Sequence, residues 1–235
     1  MRQPTGWRTS GTGAVTRRRF CRGAGRSLAA GLTLAWAPSA AARLVFPDDG
    51  TLAYLVSRND QVVGERRQSI SRASGDLVVR LDQSLAVGPA GRPFYRLEQH
   101  VEEVWHDGWL HALVSDTEED GRLWRVRAER RNGVFGGLAN GLDFTVSGYA
   151  ITSTFWHRDT PTQEALLDVV DARVKLIRGR LVGEETLSRR GRDLATKHYL
   201  IHGQLNSHLW YDEDCRLVRL RTPLRDGSEV IYDLA

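Results

Sequence analysis

The chain has 235 residues, with 33 Lys+Arg against 29 Asp+Glu, a formal charge of +4 and a pI near 9.4. With 41% hydrophobic and 26% charged residues it has the composition of a folded domain, which excludes disorder as the main state and a polytopic membrane protein. Two cysteines exclude a disulfide scaffold and a four-cysteine zinc site, and the basic excess points to nucleic acid only if it belongs to the folded part.

Residues 1–42 carry Arg2, Arg8, Arg17, Arg18, Arg19, Arg22 and Arg26, and no acid. A mildly apolar run follows over 27–37, and then the small residues Ser39, Ala40, Ala41 and Ala42. Basic lead, short apolar run and small-residue site predict a signal peptide cleaved after Ala42. The run is too short to span a membrane, which takes about 20 apolar residues. Thr16-Arg17-Arg18-Arg19-Phe20 resembles the twin-arginine signal. The expectation is therefore a periplasmic protein that meets the twin-arginine translocase and signal peptidase during export.

Removal of 1–42 leaves residues 43–235 as a single β domain. Its 26 cations, 24 arginines with Lys175 and Lys197, face 29 carboxylates, so the formal charge becomes −3. The basic pI belongs to the signal, and the nucleic-acid expectation goes with it. Cys21 leaves too, and Cys215 alone cannot form an internal disulfide.

Turn dipeptides punctuate the rest: Asn59-Asp60, Gly75-Asp76, Asp107-Gly108, Asp120-Gly121, Asn132-Gly133, Asn140-Gly141 and Asp226-Gly227. Asn-Gly and Asp-Gly supply the positive φ of tight hairpin turns. Between them, alternating or β-branched runs predict strands over 52–57, 61–71, 77–85, 95–105, 109–117, 123–130 and 143–152. Further strands are expected over 174–177, 184–187, 195–201, 207–211, 217–223 and 229–234. The glycines of 133–142 predict a long loop. Thr160-Pro161-Thr162-Gln163, ahead of Glu164-Ala165-Leu166-Leu167, has the order of a helix start. The expected fold is all-β: an antiparallel meander forming a strongly curved sheet or unclosed barrel, with one short helix. If the turn dipeptides are two-residue loops, His106 faces Trp109, Trp105 faces Leu110, Glu119 faces Arg122 and Thr117 faces Trp124.

Several local patterns occur in order: Tyr54-Leu55-Val56, Trp105-His106-Asp107-Gly108-Trp109-Leu110, Ser115-Asp116-Thr117, Ser153-Thr154-Phe155-Trp156, Leu209-Trp210-Tyr211-Asp212 and Ile231-Tyr232-Asp233-Leu234. Together they resemble a family of exported bacterial proteins known as a domain of unknown function, DUF6134. The resemblance implies a curved antiparallel β fold. It implies no catalytic residues.

No P-loop, G-x-S-x-G, H-E-x-x-H, C-x-x-C or G-x-G-x-x-G occurs. His198 and His202 have helical metal spacing but read as strand residues, about 13 Å apart at 3.3 Å per residue. Asp212-Glu213-Asp214 reads as a polar turn. Ser115, Asp116 and His106 or His157 could supply a nucleophile and base only if the fold converged them. No metal or cofactor is expected. The aromatics are the better lead: Trp105, Trp124, Tyr149, Phe155, Trp156 and Trp210 are the candidate lining of an apolar cavity for a lipid or other small molecule. The alternatives are a hydrolase with a Ser/His/Asp-type site and an envelope scaffold without ligand.

Overall fold

A computed structural model describes residues 50–88, 93–189, 191–224 and 226–235. The segment 1–42, expected to be an export signal, lies outside the described residues. Fourteen strands follow one another in sequence. The first half holds β1 (Thr51–Arg58), β2 (Gln61–Ala73), β3 (Asp76–Val87), β4 (Tyr95–His106), β5 (Trp109–Glu119), β6 (Arg122–Arg131), β7 (Val134–Ala139) and β8 (Leu142–Val146). The second holds β9 (Ala165–Leu167), β10 (Val174–Arg189), β11 (Arg192–Gly203), β12 (Ser207–Asp212), β13 (Leu217–Pro223) and β14 (Glu229–Leu234).

All belong to one antiparallel sheet in the order β8-β7-β6-β5-β4-β3-β2-β1-β14-β13-β12-β11-β10-β9. Two meanders are thus joined where β1 pairs with β14, Tyr54 opposite Leu234. The end strands β8 and β9 do not pair with each other, so the sheet is an unclosed barrel.

Local chemistry sets the turns. Asn59-Asp60, Asp107-Gly108, Asp120-Gly121, Asn132-Gly133 and Asn140-Gly141 have both residues at positive φ, the backbone a two-residue hairpin needs. His106 faces Trp109, Trp105 faces Leu110, Glu119 faces Arg122 and Thr117 faces Trp124, as the turns require. The second hairpin, β2–β3, turns one residue earlier than expected, on Ser74-Gly75.

Three segments differ from the sequence reading. The glycine-rich stretch 133–142 is mostly strand β7, not a long loop. Gly137 lies so close to the Arg127 carbonyl of β6 that a Cβ would collide with it; here glycine permits tight strand pairing instead of marking a loop. The strand expected over 143–152 stops at Val146, beyond which the chain leaves the sheet edge. The short helix is a single 3-10 turn, Thr160–Thr162, and residues 165–167 form β9. Asp159 makes no side-chain cap, and Thr160 spends its hydroxyl on the His157 carbonyl. Leu167 bonds the chain at Ile151 and Ser153, so tertiary pairing overrides local helix propensity.

Alternation puts one face of each strand into a common core that includes Tyr54, Val56, Leu81, Leu113, Val126, Phe135, Ile201, Leu209 and Tyr232. The connection 147–164, between β8 and β9, runs through the concavity and adds Ile151 and Trp156 to that core. We call this connection the plug.

Candidate functional site

The plug is fixed by one carboxylate. On β4, the inward phase is Val101, Glu103 and Trp105, all buried, and Glu103 is 0% exposed. Glu103 Oε2 accepts the indole N–H of Trp105 at 2.8 Å and of Trp156 at 2.7 Å. Its Oε1 accepts the hydroxyls of Thr152 at 2.7 Å and Thr154 at 2.8 Å. Thr152, Thr154 and Trp156 all come from one short stretch of the plug, which turns at Ser153–Thr154. Burial pushes the Glu103 pKa up, against the four hydrogen bonds that favour its charge.

Arg66 of β2 is the second buried charge, 4% exposed. Its guanidinium donates to the Thr154 carbonyl and, at 2.8 Å, to Gln68 Oε1. It also lies over the Tyr54 and Tyr232 rings at 5.6 and 5.9 Å. Burial lowers its pKa and raises those of Tyr54 and Tyr232 to about 12. On β12, the Tyr211 hydroxyl donates to the Phe155 carbonyl at 2.9 Å. Strands β2, β4 and β12 therefore grip successive residues of the plug.

One end of the concavity stays open. A cleft of about 390 Å³ is bounded by Gln83 and Leu85 of β3, Leu97 and Gln99 of β4, Thr117 of β5 and Phe155 of the plug. Asp168, Val169, Leu205, Leu224, Val230 and Tyr232 complete much of the rest. Its polar wall is a cross-strand ladder: Gln83 donates to Gln99 at 2.9 Å, and Gln99 donates to Thr117 at 2.8 Å. Gln83 Oε1 is buried out of reach of solvent and has no hydrogen-bond partner among the described residues. No described lining residue is cationic, and Asp168 is held above its usual range by burial.

Phe155 sits at φ 61°, a left-handed backbone that costs a bulky residue about 1–3 kcal/mol. Glu103 and Tyr211 hold the plug in the path that demands this conformation and aim the ring at the cleft.

The six candidate aromatics do not form one site. Trp105 and Trp156 meet at 5.3 Å, nearly perpendicular, over Glu103. Phe155 lines the cleft. Trp124 stands on the inward row with Thr117, its Nε1 buried and unbonded. Tyr149 packs on Trp109 at 5.5 Å, away from the cleft lining. Trp210 lies on the opposite face of the sheet with Leu187 and Val218. The expected cavity lined by Trp and Leu is instead a cleft with a Gln/Thr wall, because Glu103 draws the two large indoles into the sealed interior. Glu103, Arg66, Gln83, Gln99 and Thr117 were not singled out by the sequence reading. Their signal was there: each is a polar residue on the inward phase of its strand.

Ser115, Asp116 and the histidines do not converge. Ser115 points inward on β5 and is buried, whereas Asp116 points outward to Arg127 at 2.7 Å. His106 pairs with Asp76 across the hairpin at 2.6 Å. His157 contacts the Trp105 and Trp156 rings, and burial lowers its pKa. Asp212 is used by Arg216 at 2.7 Å, as a polar turn requires. Cys215 is a half-buried free thiol.

A larger groove of about 690 Å³ runs between the 3-10 turn and β10–β12. Its carboxylates are already engaged in part: Glu185 accepts from Trp210 and pairs with His198 at 2.7 Å, and Asp212 holds Arg216. Among its described lining residues no buried polar side-chain atom lacks a partner.

A family model described as domain of unknown function DUF6134 matches residues 54–235. The chain belongs to the DUF6134 family. The match covers every strand described above from Tyr54 onward, so the unclosed barrel with its plug is this member's form of the DUF6134 domain. No curated protein matches the chain. Among solved structures it is similar to a crystal structure of a beta-barrel-like protein of domain of unknown function DUF1849 from Brucella abortus. The TM-score is 0.59 at 11% identity, over 79% of this chain and 94% of that one. At that identity the likeness concerns the fold.

Proposed function

We propose that this DUF6134 protein is an exported, periplasmic binding protein whose cleft holds a small neutral amphiphile in the cell envelope. The observation that carries this reading is a cleft with apolar side chains on one side and a Gln/Thr ladder on the other. A hydroxyl or amide on a ligand pairs with the Gln/Thr wall, while Leu85, Leu97, Phe155 and Leu224 take up an acyl chain. A volume of about 390 Å³ falls within the usual range of small-molecule sites. With Asp168 in the lining and no described cation there, a fatty carboxylate or a phosphate lacks a counter-charge. The separation of Ser115 from Asp116 and His106 favours binding over hydrolysis. The export signal supports the periplasmic setting.

The test is native mass spectrometry of the protein purified from its own cells, followed by extraction. A co-purifying neutral lipid or long-chain alcohol is the expected result. A homogeneous unliganded chain that also fails to take up added monoacylglycerol overturns the reading.

A further inference from the structure

Cross-strand register on the outer face brings charges together in two different ways. One row runs Arg67, Asp82, His100, Asp116, Arg125 across β2 to β6, with signs that alternate. His100 meets Asp82 at 2.7 Å in that row. Opposite charges across strands stabilise a sheet, and like charges destabilise it.

On β10 to β13 the pattern inverts. Ile177, Ile201, Leu209 and Leu220 point into the core, so Leu176, Arg178, His202, His208 and Arg221 point out. Arg178 lies opposite His202, and His208 lies opposite Arg221. Arg180 belongs to the same row as His208, separated from it by Leu200. Arg178 and Arg180 are exposed, and Arg221 lies over the Trp210 ring at 5.8 Å with Glu229 3.6 Å from its Nε. Along the same face of β10, Val174 and Leu176 are 47% and 64% exposed. The chain therefore gathers arginines and exposed aliphatics on one face of a domain that is acidic over residues 43–235.

A bland account exists for part of this. Beyond Ile177, β10 pairs with no described strand on its far side, and charged residues commonly blunt a free edge. Edge protection does not explain His202, His208 and Arg221, which stand on β11, β12 and β13 inside the sheet.

We infer that the outer face of β10–β13 docks on an anionic lipid surface, with Arg178, Arg180 and Arg221 against the headgroups and Val174 and Leu176 at their apolar boundary. Charge complementarity selects this occupant, because basic side chains beside exposed aliphatics match an anionic headgroup layer over an apolar interior. The face is separate from the cleft, so it can act with or without the proposed ligand.

The test is co-sedimentation of the full chain with vesicles of phosphatidylglycerol in phosphatidylcholine, against phosphatidylcholine alone. The Arg178→Glu/Arg180→Glu variant is compared with Arg72→Glu/Arg96→Glu, an equal charge change at two exposed positions on β2 and β4. Both variants keep the arginines of residues 1–42, whose contribution cancels. Binding to the anionic vesicles falls on the order of thirtyfold in the first variant and much less in the second. Leu176→Asp weakens it as well. An Arg178→Gln/Arg180→Gln variant gives the same direction without charge reversal. Equal losses in both charge variants, or none in the first, overturn the proposal. So does full release by millimolar inorganic phosphate, which marks a free-anion site. A vesicle-free self-association abolished by the first variant also overturns it, since the occupant is then a second copy.

Discussion

Trp105 and Trp156 donate their indole N–H groups to the same oxygen of Glu103, from a strand on one side and the plug on the other. The second oxygen closes a triangle with the Thr152 and Thr154 hydroxyls, which are themselves 2.7 Å apart. Three O···O contacts share only two hydroxyl hydrogens if Glu103 is ionised. A proton on Oε1 supplies the third, and burial acts in the same direction. The geometry thus favours a neutral carboxyl as the pin that holds the plug.

This makes Glu103→Gln and Glu103→Ala different experiments. Glutamine keeps an acceptor for the indoles and an amide donor for the threonines, so it changes unfolding free energy by about 1 kcal/mol or less. Alanine strands two indole N–H groups and two hydroxyls in the core, at about 3–5 kcal/mol. Urea unfolding of both variants checks this. Equal losses contradict the neutral-pin account.

The pH dependence follows with its sign. Glu103 and Asp168 have folded pKa values raised by burial above 4.5 and 3.8. A raised carboxyl contributes stability that is full below the unfolded value and lost as pH rises through the folded one. The wild type therefore loses stability relative to Glu103→Gln as pH rises above about 4.5. His157, lowered by burial from 6.5, works the other way. Its contribution is present above its unfolded value, so the wild type loses stability relative to His157→Gln as pH falls below about 6.5. Urea midpoints across pH, measured for the three proteins, separate the two slopes.

Phe155 offers a cleaner backbone test. Phe155→Ala and Phe155→Gly both remove the ring from the cleft. At φ 61° the alanine retains the left-handed penalty and the glycine does not, so the glycine variant is more stable by about 1 kcal/mol or somewhat more. Thermal melts of the pair check it. Both variants lose ligand affinity equally, because the ring is gone from each.

Much of the fold was legible because its signals are local. Asn132-Gly133 and Asn140-Gly141 encode their turns within two residues, and the facing pairs Trp105–Leu110 and Thr117–Trp124 follow from turn geometry alone. The helix expected after Thr160 failed because Leu166 and Leu167 are committed to the chain at 151–153, a partner no local pattern reveals. The site was half legible. Of the candidate rings, Trp105 and Trp156 are buried in the core, whereas Trp210 faces outward with Leu187 and Val218. Glu103 was not singled out from the sequence, although Val101 and Trp105 share its phase. Which inward polar residues bond each other depends on the fold of the plug over distant strands.

The central claim, that the cleft beside Phe155 holds a neutral amphiphile, is tested most directly by titrating a fluorescent-tailed monoacylglycerol into the wild type and into Asn206→Trp. Asn206 lines the cleft from an exposed turn, so the indole fills the mouth without disturbing the core. The account predicts saturable binding to the wild type, a loss of at least about tenfold in Asn206→Trp, and weaker binding of the fatty acid with the same tail. Equal affinity in the two proteins, or tighter binding of the fatty acid, contradicts it.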